Sequence, residues 1–159
     1  YMFAYAMLGA ATVMAVYLLW FKKKGIERHE MALCDNLTYV GLAFMTLGML
    51  SGAVWAKAAW GHYWAWDPKE TWALITMVVY AFILHARFLP VLRSDYAFSV
   101  MSVLGLASVL MTYFGVNYYL SGLHSYGGGD TPPGLTAVFI TYACAFALMI
   151  YAGYSQRKQ

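Results

Sequence analysis

Trp60-Gly61-His62-Tyr63-Trp64-Ala65-Trp66-Asp67-Pro68-Lys69-Glu70-Thr71-Trp72 is one short, non-repetitive stretch that holds four of the chain's six tryptophans. Hydrophobic runs flank it on both sides, so it reads as a loop held at a membrane surface. Indole rings settle at the membrane–water boundary, where the apolar body meets lipid and the N–H meets water or a headgroup. An aromatic belt is the plain reading. Belts, however, scatter single residues over helix ends. Here the rings sit with Asp67, Lys69 and Glu70 in a compact patch containing a turn, which suits a flat apolar ligand with charged edges.

The acidic residues of the stretch have a structural reading of their own. Asp67 can cap a helix, Pro68 suits the first helical position, and Glu70, three residues after Asp67, completes a capping box. On the residues alone, Asp67 and Glu70 mainly start the next helix and fix the loop above it.

Outward from this stretch the composition is 62% hydrophobic, 18% aromatic and only 11% charged. Too little polar surface exists to cover such an interior, so an ordinary soluble domain is excluded. The net charge of +3 is small and dispersed, which argues against a nucleic-acid partner and leaves membrane orientation as the reason for its sign. Cys34 and Cys144 belong to no C-x-x-C pair and no metal-ligand spacing, and are expected to be free thiols without a redox role. The sequence opens at Tyr1, inside an apolar run and without a basic start or a small-residue cleavage site, and is read as a piece of a longer chain.

A bilayer-spanning helix takes about 20 mostly apolar residues. Five such runs lie near residues 1–21, 37–56, 71–89, 96–116 and 135–154. The expected fold is all-α, a single polytopic membrane domain over residues 1–159, with external loops at about 57–70 and 117–134. Lys22, Lys23, Lys24, Arg28, Arg87, Arg93, Arg157 and Lys158 fall on one side, eight of the ten Lys and Arg residues. The positive-inside rule makes that side cytoplasmic, with the N-terminus and the tryptophan loop outside and the C-terminus inside.

The connection from Lys22 to Asn36 reads as a solvated loop, with Asp35 or Asn36 as the cap of the second helix. Gly41, Gly48 and Gly52, and likewise Gly105, Ser108, Thr112 and Gly115, draw small-residue stripes that suit close helix packing better than ligand binding. His85 closes the third helix, some 20 Å from the tryptophan loop at about 1.5 Å per residue. It reads either as a functional ionisable group inside a span or as a complement to the helix dipole. Thr131 and Pro132 are expected to start the fifth helix, after three consecutive glycines. His124, before those glycines, lies on the same side as the tryptophans. A loop histidine facing an aromatic platform suggests an imidazole aimed at the metal of a flat macrocycle, and heme fits that description. His62 is a rival within the tryptophan loop.

Trp60-Gly61, Trp64 and Trp66-Asp67-Pro68-Lys69-Glu70-Thr71-Trp72 resemble the "WWD" signature of heme-handling membrane proteins. The continuation Val116-Asn117-Tyr118, then Ser121-Gly122-Leu123-His124-Ser125-Tyr126, is similar to the CcsA (ResC) type of cytochrome c biogenesis protein. The resemblance runs from about residue 37 to the end. CcmC and CcmF, other branches of that superfamily, share the WWD core but usually depart from Pro-Lys-Glu-Thr-Trp after the aspartate, a run kept here.

The resemblance implies a multi-pass inner-membrane protein that helps to attach heme to apocytochrome c, as part of a cytochrome c synthase with a CcsB/ResB-type partner subunit or fused domain. It implies a heme site at the external WWD loop with Trp60, Trp64, Trp66, Asp67 and Trp72, and His124 as one axial ligand. It also implies that His85 is an axial ligand of a second, intramembrane heme site. The partner histidine of each pair is absent from this chain, since His29 falls in the cytoplasmic connection. The rival readings are a heme exporter or chaperone that does not ligate heme, and a membrane scaffold or transporter with an interfacial aromatic loop.

Overall fold

The computed structural model describes residues 1–21, 27–124 and 134–156, and every element among them is helical. Helix α1 is Met2–Phe21, α2 is Arg28–Trp60, α3 is Pro68–Ala86 and α4 is Asp95–Leu110. A π-helical turn, Met111–Gly115, carries α4 directly into the short α5, Val116–Tyr119, and α6 is Leu135–Gln156. Among the described residues, three helical stretches are long and apolar enough to cross a membrane: Met2–Leu19, Arg28–Trp60 and Asp95–Tyr119. Helix α3, at 19 residues, is of similar length but opens with Pro68, Lys69 and Glu70.

Helix α2 corrects the expected boundaries. It begins at Arg28, nine residues before the apolar run, because the backbone N–H of Glu27 donates to the Glu30 carboxylate at 3.1 Å and the pair forms a capping box. Asp35 is therefore inside the helix and caps nothing. It is held by the guanidinium of Arg87 at 3.0 Å, which also grips Asp95 at 2.8 Å and lies over the Phe98 ring at 4.4 Å. One arginine thus fastens α2, α3 and α4 at a single end of the bundle. The expected loop over Lys22–Lys24, the Thr131–Pro132 cap and the basic pair Arg157 and Lys158 lie outside the described residues.

The small-residue stripes serve packing, as their pattern suggested. Ala4, Leu8, Ala11, Ala15 and Leu18 line the buried face of α1 at helical spacing. Leu8 lies so close to Gly41 that a Cβ there would meet its Cγ at 2.8 Å, and Tyr1 lies over Gly48. Gly105 admits Ile83 and Tyr80 of α3. Hydroxyl groups add contacts where lipid offers none. Thr112 lies 2.9 Å from the Thr76 hydroxyl and donates to the Trp72 carbonyl at 3.1 Å, and Tyr142 of α6 donates to the Val103 carbonyl at 2.7 Å.

This packing puts Tyr1, the end of α2, the start of α3 and the end of α5 together at one end of the bundle. Arg28, Arg87 and Asp95 cluster at the other.

Candidate functional site

Helix α2 runs on to Trp60 and stops where Gly61 takes φ +83°, a left-handed value open to glycine, with its N–H donating to the Lys57 carbonyl at 3.1 Å. Helix α3 starts at Pro68. The connecting loop is therefore only Gly61–Asp67, shorter than the expected 57–70. Glu70 pins it from below, accepting from the backbone N–H groups of Ala65 at 2.8 Å and Asp67 at 3.3 Å. So tight a loop forces Trp66 to φ +55°, a conformation that a bulky residue adopts only at a cost. Trp66 as a whole is 71% exposed, and its ring meets that of Trp64 edge-on, with centroids 5.7 Å apart.

His124 lies on this loop. Its ring meets Trp60 edge-on, with centroids 4.7 Å apart and planes at 88°, and Trp55 continues the cluster 5.0 Å beyond Trp60. The π-helical turn helps to deliver the histidine, since it ends α4 one residue out of phase and sends α5 over the start of α3. There Asn117 accepts from the Lys69 ammonium at 3.1 Å. Asp67 closes the arrangement. Its side chain is 2% exposed and accepts from the backbone of Lys69 at 3.1 Å, the backbone of Leu123 at 2.5 Å and Nδ1 of His124 at 2.9 Å. Burial by itself would raise the Asp67 carboxyl, but hydrogen bonds from His124, Lys69 and Leu123 outweigh it and hold the group below the usual carboxylate range.

Tyr1, Met49, Tyr63, Trp64, Lys69, Glu70 and His124 line a cavity of about 180 Å³. Trp72 is a turn into α3 and half-buried, outside the cavity wall, and contributes its carbonyl to Thr112. His62 is exposed and outside it as well. His85 sits at the far end of α3, about 26 Å down the helix from Pro68 at 1.5 Å per residue. It is exposed, near Phe88, with Nδ1 2.7 Å from the Ala81 carbonyl. The two histidines named from sequence thus belong to opposite ends of the bundle. Among the described residues no three His, Cys, Asp or Glu side chains gather to hold a bare metal ion. Tyr1 and Trp55 are members of the site that the linear sequence did not single out, while Tyr63 and Asn117 stood within the quoted motifs without a role of their own.

The family model for the cytochrome c assembly protein matches residues 1–124. The chain belongs to the cytochrome c assembly protein family. His124 is the last residue of that match, and α6 lies beyond it. Among individual relatives, the chain is 49% identical over 106 residues to protein NrfI of Wolinella succinogenes, covering 66% of this chain and 12% of that protein. It is 50% identical over 97 residues to cytochrome c biogenesis protein CcsA of Gloeobacter violaceus, covering 58% and 28%. With CcsA of Mesostigma viride the figures are 46% over 110 residues, 67% and 35%. The chain therefore spans between 12% and 35% of the length of these relatives.

Proposed function

We propose that this chain is the part of a cytochrome c assembly protein that receives heme as cargo on the outer face of the membrane and holds it for attachment to apocytochrome c. The observation that carries the reading is the seating of His124 against Trp60, on a wall of the same cavity as Trp64. The fit of the residues to heme is good. The indole N–H of Trp64 is buried with no acceptor among the described residues, a donor that a polar ligand edge would satisfy. A lone imidazole suits an iron that brings four nitrogens of its own. In this reading His124 is an axial ligand, Trp60, Trp64 and Trp66 supply apolar faces, and Trp72 supports them from within α3.

At about 180 Å³ the cavity is smaller than the 300–1,000 Å³ of a pocket that engulfs its ligand. It takes one edge of a flat molecule and leaves the other outside, where a protein acceptor can reach it. Attachment adds an acceptor thiol across a heme vinyl group: the sulfur–carbon bond forms, the thiol hydrogen ends on the neighbouring vinyl carbon, and nothing leaves. Such a step asks for positioning more than for an acid or base from the protein.

The arginine-rich end, with Arg28, Arg87 and Arg93, is assigned to the cytoplasm by the positive-inside rule, which leaves the tryptophan end outside. His85, at the arginine-rich end, is then an inner ligand on the route of heme across the membrane. Its Nδ1 faces a carbonyl, an acceptor only, so a metal there would be taken by Nε2. In this reading the second ligand at each site comes from outside the described residues.

Reconstitution of the full-length protein with its partner component, heme and a reduced apocytochrome tests this function. Heme that stays with the cytochrome after denaturation is the expected result. Heme that is delivered but extracts freely would favour an exporter or chaperone, and absence of heme from the purified protein would favour a scaffold or transporter.

A further inference from the structure

We propose that Asp67 is the positioning residue of His124: its carboxylate fixes the ring so that Nε2 is the nitrogen presented to iron, and Gly122 leaves the room that this contact needs. The proposal rests on His124 being a heme ligand and adds how the ligand is made ready.

A helix cap needs a side-chain oxygen facing the first turn, and the Lys69 N–H meets that need at 3.1 Å. Asp67 does more. Its other bonds, to the Leu123 N–H at 2.5 Å and to His124 Nδ1 at 2.9 Å, reach a loop 56 and 57 residues away. Three donors, two of them backbone N–H groups, thus converge on one nearly inaccessible carboxylate. An ionised carboxylate only accepts, so Nδ1 carries the hydrogen and the lone pair of the neutral ring stands on Nε2. Trp60, edge-on at 4.7 Å, restrains the remaining rotation. Gly122 is the complementary device. A Cβ at that position would overlap Asp67 Oδ1 and come within 2.8 Å of the Pro68 ring, so a side chain there would keep the loop from closing on the carboxylate.

Asp67→Ser is the discriminating variant in the full-length protein, because serine keeps the cap of α3 but is too short to reach His124. Asp67→Asn is its companion, of native shape but with an NH2 group, a donor, in place of one acceptor oxygen. Two readouts apply: the tautomer of His124 in heme-free protein, by 15N resonance of the ring, and heme affinity by titration. The wild-type ring is expected to be the Nδ1–H form. In both variants the Nε2–H form is expected to grow, and heme affinity to fall about 10–100-fold. A wild-type ring in the Nε2–H form, or an Asp67→Ser ring with an unchanged tautomer, overturns the proposal. So does full heme affinity in Asp67→Ser while His124→Gly has lost its heme, a result that leaves the ligand assignment standing. Full heme affinity in His124→Gly removes the iron from the account, and the heme-free tautomer still decides whether Asp67 sets the ring.

Discussion

His124→Gly in the full-length protein is expected to keep its helical content and lose the heme of the tryptophan face, and added imidazole to restore it. The ring stands in a turn after α5, not in the helix–helix core, so its removal leaves the packing around Leu8, Tyr80 and Phe98 untouched. Asp67 keeps its bonds from Lys69 and Leu123, so the start of α3 stays capped. The lost group is the ligand alone. Losing an outer partner of a metal ligand costs about 10–100-fold in affinity, and losing the ligand itself is expected to exceed that range. Heme absorption at matched protein concentration, with and without imidazole, checks both halves. Equal absorption in variant and wild type would contradict the assignment.

Gly122→Ala is expected to uncouple the site while sparing the bundle. The added Cβ meets Asp67 and Pro68, and neither is the loose end of a flexible side chain. Pro68 is a ring at the first position of α3, and the Asp67 carboxylate is tied to the Lys69 N–H. The loop must therefore retreat and give up the bonds from Leu123 and His124. Hydrogen bonds to a charged group contribute about 1.5–3 kcal/mol each. Heme affinity is expected to fall at least about 10-fold, and the bonds lost at the buried carboxylate to lower stability by roughly 1.5–3 kcal/mol or more, while the helical content stays unchanged. A variant with full heme affinity would show that the glycine is incidental.

Much of this fold was legible in the sequence because it rests on local rules. Apolar runs of membrane length, glycines and hydroxyls at helical spacing, and the Asp67-Pro68-Glu70 helix start each carry their meaning within a few residues. The exceptions arose where distant groups decide. Arg28–Asn36 reads as a polar loop, yet it is helical, because the Glu27–Glu30 box starts α2 early and Arg87, 52 residues on, draws Asp35 into the bundle. The four tryptophans of the opening stretch look equivalent in sequence, but they divide. Trp60 ends a helix beside His124, Trp64 lines the cavity, Trp66 points outward from a strained backbone and Trp72 is helical. The second role of Asp67 could not be read at all. A cap explains the residue fully from its neighbours, and nothing local announces a histidine 57 positions away.

The most direct test is the electron paramagnetic resonance spectrum of ferric heme in full-length protein carrying His124→Met, with the inner site emptied by His85→Ala. Methionine is flexible enough to keep heme in place, but it exchanges an imidazole for a thioether on the axis. Ligation by His124 predicts that the axial-ligand signature changes from that of His85→Ala alone while heme remains bound. The same signature at the same heme content in both proteins would mean that iron does not meet His124, and would contradict the account.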